Sequence, residues 1–304
     1  MTVFPYDQFS KDYLKELLSP LGEVETSRNI AAEVREIDVW FVPRTQATSA
    51  TELGLLGRLA TTAGIFEPYR NAIDLEDVRN CMGKLISVFA FLARQARRNN
   101  TRVEEKDLPH LWIISPTASE SLLRGFGARL DLDNWGSGIY FFDEHWKGTI
   151  VVIHQLPRTP ETLWLRILGR GRVQEEAIDE LTALPENDPL RGVVLELLSN
   201  LKAILEVNQN LEPEDRDLIM RLSPLYEQRL AQATQQGIGQ GIEQGVRQGQ
   251  RMFVENLLRA KFGELDEQLI AIIEPLLALP STDSTALLLQ LSNLSRAELL
   301  ARFN

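Results

Sequence analysis

The chain has 304 residues and a formal net charge of −11, and its single cysteine excludes an internal disulfide framework and a multi-cysteine zinc site. Hydrophobic residues make up 44% and charged residues 25% of the chain, values typical of a folded globular protein that is long enough for two domains. There is no apolar run of about 18 residues, and the N-terminus lacks the pattern of a secretory signal, so we expect a cytoplasmic protein without a membrane partner.

Helical and strand patterns alternate over the first 158 residues. The predicted elements are, in chain order, a helix at 6–18, strands at 23–30 and 33–43, a short helix at 52–61, a strand at 64–70 that Pro68 cuts off, a long amphipathic helix at 75–98, and strands at 111–114, 138–142 and 149–153. This order predicts an α/β (α+β) fold in which helices cover one mixed sheet.

From Thr159 onward the sequence predicts helices only. They fall at about 160–169, 173–184, 188–207 and 212–261, the last as one long helix or as two, and a compact helical unit ends the chain. We therefore divide the chain into a core at 1–158, a helical extension at 159–234, a glycine- and glutamine-rich tract at 235–250 and a small helical C-terminal domain at 251–304.

The tract at 235–250 carries a glycine every four residues from Gly237 to Gly249, beside an apolar row formed by Ile238, Ile242 and Val246. On a helix these rows form a stripe that a second helix can approach closely, which predicts a homo-oligomer. Each glycine costs about 1 kcal/mol relative to alanine in a helix, so the row needs a compensating contact. The alternative is a flexible linker between folded units.

Two acidic residues interrupt otherwise apolar strands. Asp38 is flanked by Ile37 and Val39, and Glu67 lies in the short strand that follows. A carboxylate buried in such a strand is costly unless it is paired or binds a metal, and carboxylates on adjacent strands can hold Mg²⁺ for phosphodiester hydrolysis. The alternative is that Asp38 caps or forms a salt bridge locally and that Glu67 is an edge residue.

Positive charge is concentrated in one stretch of this acidic chain. Between Arg79 and Arg102 there are six basic residues and no acidic residue. The overall charge opposes binding to a polyanion, yet this stretch can form a local basic surface. The alternative is that these cations complement the dipole at the end of a helix.

Several segments together resemble a known family. They are the first helix with Leu-Gly-Glu-Val-Glu, the segment Glu-Val-Arg-Glu-Ile-Asp-Val-Trp-Phe-Val-Pro, the segment Ile-Phe-Glu-Pro-Tyr-Arg, the segment at 156–166, the glycine-punctuated helix and the segment at 257–263. In this order they resemble the PD-(D/E)XK nuclease superfamily, and more closely the bacterial Rpn-type (recombination-promoting nuclease/putative transposase) proteins. The resemblance implies a restriction-endonuclease-like core and hydrolysis of DNA with Mg²⁺ or Mn²⁺, linked to recombination or mobile elements.

The resemblance also implies roles for individual acids. Asp38 corresponds to the metal-binding aspartate of the family and Glu67 to its second acid. A further metal ligand from the region of the first helix is either Glu16 or Glu23.

The chain departs from the family pattern two residues after the second acid. A lysine or glutamine is expected there, whereas this chain has Tyr69. Arg70 follows it, and Lys84 on the next helix is placed to supply a migrated cation, so we expect one of these two to provide the positive charge.

Two functions are therefore predicted. The first is a Mg²⁺-dependent DNA endonuclease. The second is a catalytically weak or inactive nuclease-fold protein that acts as an oligomeric protein-interaction module, which the acidic composition and the long C-terminal helices favour.

Overall fold

The N-terminal part of the chain forms a seven-stranded mixed sheet in a computed structural model that describes residues 5–29, 36–44, 51–207 and 211–303. The strands are β1 (Gly22–Asn29), β2 (Glu36–Pro43), β3 (Gly64–Pro68), β4 (His110–Ser115), β5 (Arg129–Leu130), β6 (Ile139–Phe141) and β7 (Gly148–Val152). The helices in this part are α1 (Pro5–Leu18), α2 (Gly54–Leu59), α3 (Leu75–Arg98), α4 (Glu120–Gly125), α5 (Leu163–Arg166), α6 (Arg172–Ala183) and α7 (Pro189–Val207).

The strand order across the sheet is β1-β2-β3-β4-β7-β6-β5. The first three strands form an antiparallel meander, β3, β4 and β7 run parallel, and β6 and β5 continue antiparallel at the far edge. The predicted mixed α/β fold with a helix-covered sheet is therefore confirmed.

Each face of the sheet has its own apolar core. On one face α1 packs against β1, β2 and α7, and Tyr13, Leu14 and Phe41 are fully buried there. On the other face α3 contributes Cys81 and Leu85 to a second core. The acidic pair Asp38 and Glu67, predicted from the sequence, lies in the two strands β2 and β3 between these layers.

Two short elements were not predicted from the sequence. α4 has six residues, fewer than two helical turns, and β5 has two exposed residues, so neither gives a periodic signal. The helix predicted at 160–169 is shorter, because it begins as a 3₁₀ turn at Pro160–Thr162 and continues as α5.

The chain separates into two compact units, Met1–Tyr226 and Glu227–Asn304. Helix α8 (Pro213–Phe262) runs through residues 235–250, so the tract is helical rather than an irregular linker. Its glycines have open space where a Cβ would be, and Ile238, Ile242 and Val246 are exposed.

The second unit has a core of its own, formed where the end of α8 packs with the last helices. These helices are α9 (Glu267–Ala271), α10 (Ile273–Leu277), α11 (Ser281–Gln290) and α12 (Arg296–Leu300). No strand follows Thr159 in the described part of the chain, as predicted. None of the helices described combines the length and the apolarity needed to cross a membrane.

Candidate active site

Strand pairing places Asp38 beside Glu67. β2 and β3 are antiparallel, with Trp40 opposite Ile65 and Val39 opposite Phe66. One step further along this register, Asp38 is opposite Glu67, and residues directly opposite each other present their side chains on the same face of a sheet. The two acids predicted from the sequence are thus brought together, at the end of β3 where Pro68 stops the strand.

Glu67 is a fully buried acid with only part of its bonding capacity used. Its Oε2 accepts a hydrogen bond of 2.5 Å from Nζ of Lys84 on α3. Its Oε1 is buried and has no hydrogen-bond partner among the described residues. A buried carboxylate oxygen without a donor is expensive, and the Asp38 carboxyl group is close enough to Glu67 to share a proton with it.

Asp38 affects the protonation of Glu67. Burial and the carboxylate of Asp38 raise the pKa of Glu67 to about 8, although the Lys84 ammonium opposes this shift. Neither carboxylate can donate a hydrogen bond while both are ionised, and a proton held between them relieves the repulsion. The same position is suited to a cation, which neutralises both groups at once.

A second lysine, Lys11 of α1, faces Asp38. Its Nζ lies 3.1 Å from Oδ1 of Asp38, 3.0 Å from Oδ2 of Asp7 and 3.4 Å from Oε1 of Glu36, and its side chain is 8% exposed. Burial alone would lower the pKa of Lys11, but the carboxylates of Asp38 and Asp7 outweigh it and raise that pKa. Lys11 therefore stays charged. We call Asp38, Glu67, Lys11 and Lys84 the acid–lysine site.

The backbone next to this site is strained. The register of β1 and β2 places Thr26 opposite Val39 and Arg28 opposite Ile37, so Ser27 is the residue opposite Asp38. Ser27 has a φ of 56°, a left-handed value that non-glycine residues seldom adopt. Strain of this kind is concentrated at functional sites, where the surrounding fold maintains it.

Lys84, rather than the residue two positions after Glu67, is the cation that contacts Glu67. Tyr69 occupies that position, but its hydroxyl is 3.2 Å from Sγ of Cys81 and carries no positive charge. Burial raises the pKa of the Cys81 thiol to about 12, so this cysteine is a packing residue and not a nucleophile. The predicted migrated lysine is thus in contact with Glu67.

Arg70, the other predicted cation, belongs to a different network. Its guanidinium donates to the backbone oxygen of Gly169, to Oε1 of Gln174 and to Oδ1 of Asp215, at 3.2–3.3 Å. It also stacks on the ring of Tyr6, 3.7 Å from the ring centroid. These contacts anchor the end of β3 to the helical extension. Among the described residues, the contacts of Arg70 are with this junction rather than with Asp38 or Glu67.

Neither candidate for a further metal ligand reaches the acid–lysine site. Glu16 is exposed near the end of α1. Glu23 is exposed and pairs with Val42, four residues along β2 from Asp38, a separation of about 13 Å at the rise of a strand. The additional acids beside the site are Asp7 and Glu36, which contact Lys11.

Lys11 was not among the predicted site residues, although the sequence carries a signal for it. Lys11 lies one turn before Leu14 and two turns before Leu18, both fully buried, so it falls on the apolar stripe of α1. A lysine on such a stripe needs an acidic partner. Asp7, at i−4 on the same line, is one of the partners it has.

The donors present are compatible with a hard divalent cation. Mg²⁺ is bound by one or two carboxylates together with water and substrate oxygens, and Asp38 and Glu67 supply two carboxylates with one free buried oxygen. Within the part of the chain that the structure describes, no group of three or more His, Cys, Asp or Glu side chains is arranged to hold a metal. Asp38 and Glu67 are the two carboxylates that would hold such a cation. Comparisons with protein-family models, curated proteins and solved structures found no match for this chain.

Proposed function

We propose that this protein is a Mg²⁺- or Mn²⁺-dependent endonuclease that hydrolyses phosphodiester bonds in DNA, in a role linked to recombination or mobile elements. The observation that carries the proposal is the fully buried Glu67, whose Oε1 has no donor among the described residues while Lys84 holds its Oε2. A structural ion pair alone leaves such an oxygen unexplained. The resemblance of the ordered sequence segments to Rpn-type nucleases supports the choice of reaction.

Each residue of the acid–lysine site has a distinct task in this proposal. Asp38 and Glu67 would hold the cation, which supplies the charge that activates water and offsets the negative charge on the phosphate. Lys84 would keep Glu67 ionised when the cation is bound, and its ammonium group would offset part of the charge on the phosphate. Lys11 balances Asp38, Asp7 and Glu36, whose combined negative charge would otherwise repel a DNA strand.

The test is nicking of supercoiled plasmid by the full chain with Mg²⁺ or Mn²⁺. We expect Asp38→Ala and Glu67→Ala each to lower the nicking rate by on the order of 100-fold or more, because each removes charge stabilisation in a desolvated site. Glu16→Ala is the matched control: an exposed acid on α1 that should leave the rate unchanged. Nicking that survives both site changes, or no nicking with either metal, would contradict the proposal.

A specific observation favours a second candidate, an inactive nuclease-fold protein that acts as an oligomeric interaction module. Each acid of the site already has its own lysine, Lys84 for Glu67 and Lys11 for Asp38, so the site is close to electrically balanced without a metal. In the second unit, Ile238, Ile242 and Val246 remain 51–62% exposed on α8. Two copies of α8 packed through this row would cover it.

The second candidate is tested by the mass of the protein in solution. The double substitution Ile238→Glu/Ile242→Glu places charge on the row and should convert an oligomer to a single chain. Gln240→Glu/Gln244→Glu adds the same charge about 200° around the helix and should leave the mass unchanged. A native chain that is already monomeric, or an oligomer indifferent to both changes, would remove this candidate.

A further inference from the structure

Helix α3 has basic residues both at the acid–lysine site and beyond it. Its residue Lys84 contacts Glu67, and the six basic residues from Arg79 to Arg102 are uninterrupted by any acid. Arg79, Arg94, Arg97 and Arg98 are exposed, and among the described residues none of these four forms an ion pair. Elsewhere in this unit, exposed arginines such as Arg158 and Arg172 are paired with glutamates.

The basic side chains of α3 fall into two rows. At about 100° per residue, Lys84 and Arg98 lie within about 40° of each other, with Arg94 about 40° beyond Arg98; we call these three the α3 basic row. Arg79 and Arg97 coincide with each other on a line turned about 140° from Lys84. Of the two rows, the α3 basic row is the one that includes Lys84, which contacts Glu67.

The helix dipole accounts for only part of this arrangement. Cations interact favourably with the last turn of a helix, and in α3 that turn holds Arg97 and Arg98. Arg94 precedes the last turn. Arg79 lies near the N-terminus, where the dipole disfavours a cation. The exposed charge is thus available to a partner.

We propose that the α3 basic row follows the phosphate backbone of a DNA duplex and leads it to Glu67. This inference rests on the proposed function and names the surface that brings its substrate to the site. Arg94 and Arg98 are about 15 and 21 Å from Lys84 along the helix axis, which corresponds to about four to six base pairs. Arg94 and Arg98 are exposed, unpaired among the described residues and one helical turn apart, so they provide a local positive field on a chain whose net charge is −11.

The experiment measures binding without cleavage. The full chain is titrated onto a fluorescently labelled DNA duplex in EDTA, by anisotropy, at several salt concentrations. Arg94→Ala/Arg98→Ala should weaken binding about tenfold and reduce the slope of log affinity against log salt by about 2, because two phosphate contacts are lost. Circular dichroism checks that the variants remain folded.

The matched control is Arg79→Ala/Arg97→Ala, which removes the same charge from the other line of the same helix. It should change the affinity less than about threefold and leave the salt slope unchanged. Equal weakening by both double variants, no effect of either, or a native chain that does not bind DNA would each overturn the inference. The binding assay contains no metal, so its result does not depend on cleavage. A protein that binds DNA through Arg94 and Arg98 but does not nick plasmid would refute the proposed nuclease activity, and the assignment of this DNA-binding surface would stand.

Discussion

Two buried charge networks in the first unit begin three residues apart in the chain and differ in how completely they are satisfied. At the acid–lysine site, one oxygen of Glu67 accepts from Lys84, the other has no donor in the described part of the chain, and Asp38 is the neighbouring carboxylate. At the Arg70 junction, which we define as Arg70 with Asp215, Gln174, Gly169 and Tyr6, the guanidinium meets an acid, an amide oxygen, a backbone oxygen and an aromatic face.

The difference separates a structural network from a candidate functional one. In the Arg70 junction Asp215 also accepts a hydrogen bond from the Tyr6 hydroxyl and one from the backbone N–H of Glu212, so its oxygens are both used. A network of this kind stabilises its native arrangement and leaves nothing for a ligand. In the acid–lysine site, by contrast, Glu67 Oε1 is buried without a donor among the described residues, which stabilises the fold less and leaves an oxygen for an incoming cation.

The largest effect should appear in the pH dependence of stability at Glu67. Folding raises the pKa of Glu67 from 4.5 to about 8, so the native state binds this proton more tightly than the unfolded state. The resulting contribution to the free energy of unfolding is fully present below about pH 4.5 and is lost as the pH rises through about 8. The native chain should lose stability at up to about 1 kcal/mol per pH unit in that window. Glu67→Gln, which keeps a neutral group, should lack this loss and become the more stable protein towards pH 8.

Urea unfolding between pH 5 and 8.5 measures the difference between the native chain and Glu67→Gln. Glu16→Gln, an exposed acid on the same unit, controls for general charge effects. Curves that run parallel through the window would show that Glu67 is ionised throughout and that the acid–lysine site is an ordinary ion-pair cluster.

The sequence could predict the strands and the two acids, because both are local signals. Runs of apolar residues predict β2 and β3, and Asp38 and Glu67 are the acidic residues that interrupt those runs. The partners of these acids could not be predicted in the same way. Lys11 comes from another layer of the fold, and its distance to Asp38 depends on how α1 packs on the sheet.

The contacts of Arg70 could not be predicted for a related reason. Its position in the chain, three residues after Glu67, suggested a role beside the acids. The strand ends at Pro68, however, and the chain then turns towards the helical extension, where Asp215 and Gln174 are found. Those partners are more than 100 residues away in sequence, so local pattern could not assign them.

A somewhat smaller effect is expected at the Arg70 junction. Arg70→Ala should destabilise the protein by about 3 kcal/mol, because it leaves the buried carboxylate of Asp215 without its cation. Arg172→Ala, which removes an exposed arginine paired with Glu176, should have no measurable effect. Urea unfolding at pH 7 compares both variants with the native chain. Added Mg²⁺ should not restore the stability of Arg70→Ala. If it did, the Arg70 junction would bind metal as well.

The smallest effect is expected at Lys11. It distinguishes the acid–lysine site from the Arg70 junction most directly, because it tests whether the acid–lysine site binds an added cation. Lys11→Met should cost about 1–3 kcal/mol, since Asp38, Asp7 and Glu36 lose the ammonium between them. Millimolar Mg²⁺ should recover part of that loss and raise the melting temperature of this variant more than that of the native chain, because a divalent ion can take the place of the ammonium.

Lys202→Met is the matched control for this rescue. Lys202 is as buried as Lys11, with a side chain 7% exposed, but the acid it contacts is the single residue Glu206. Its variant should lose stability and gain nothing from Mg²⁺, because one exposed carboxylate is a poor ligand for an ion that gives up its water reluctantly. Mg²⁺ could instead restore the stability of both variants equally, or of neither. Either result would show that the neighbouring carboxylates give the acid–lysine site no special affinity for a cation. The acid–lysine site and the Arg70 junction would then differ only in burial.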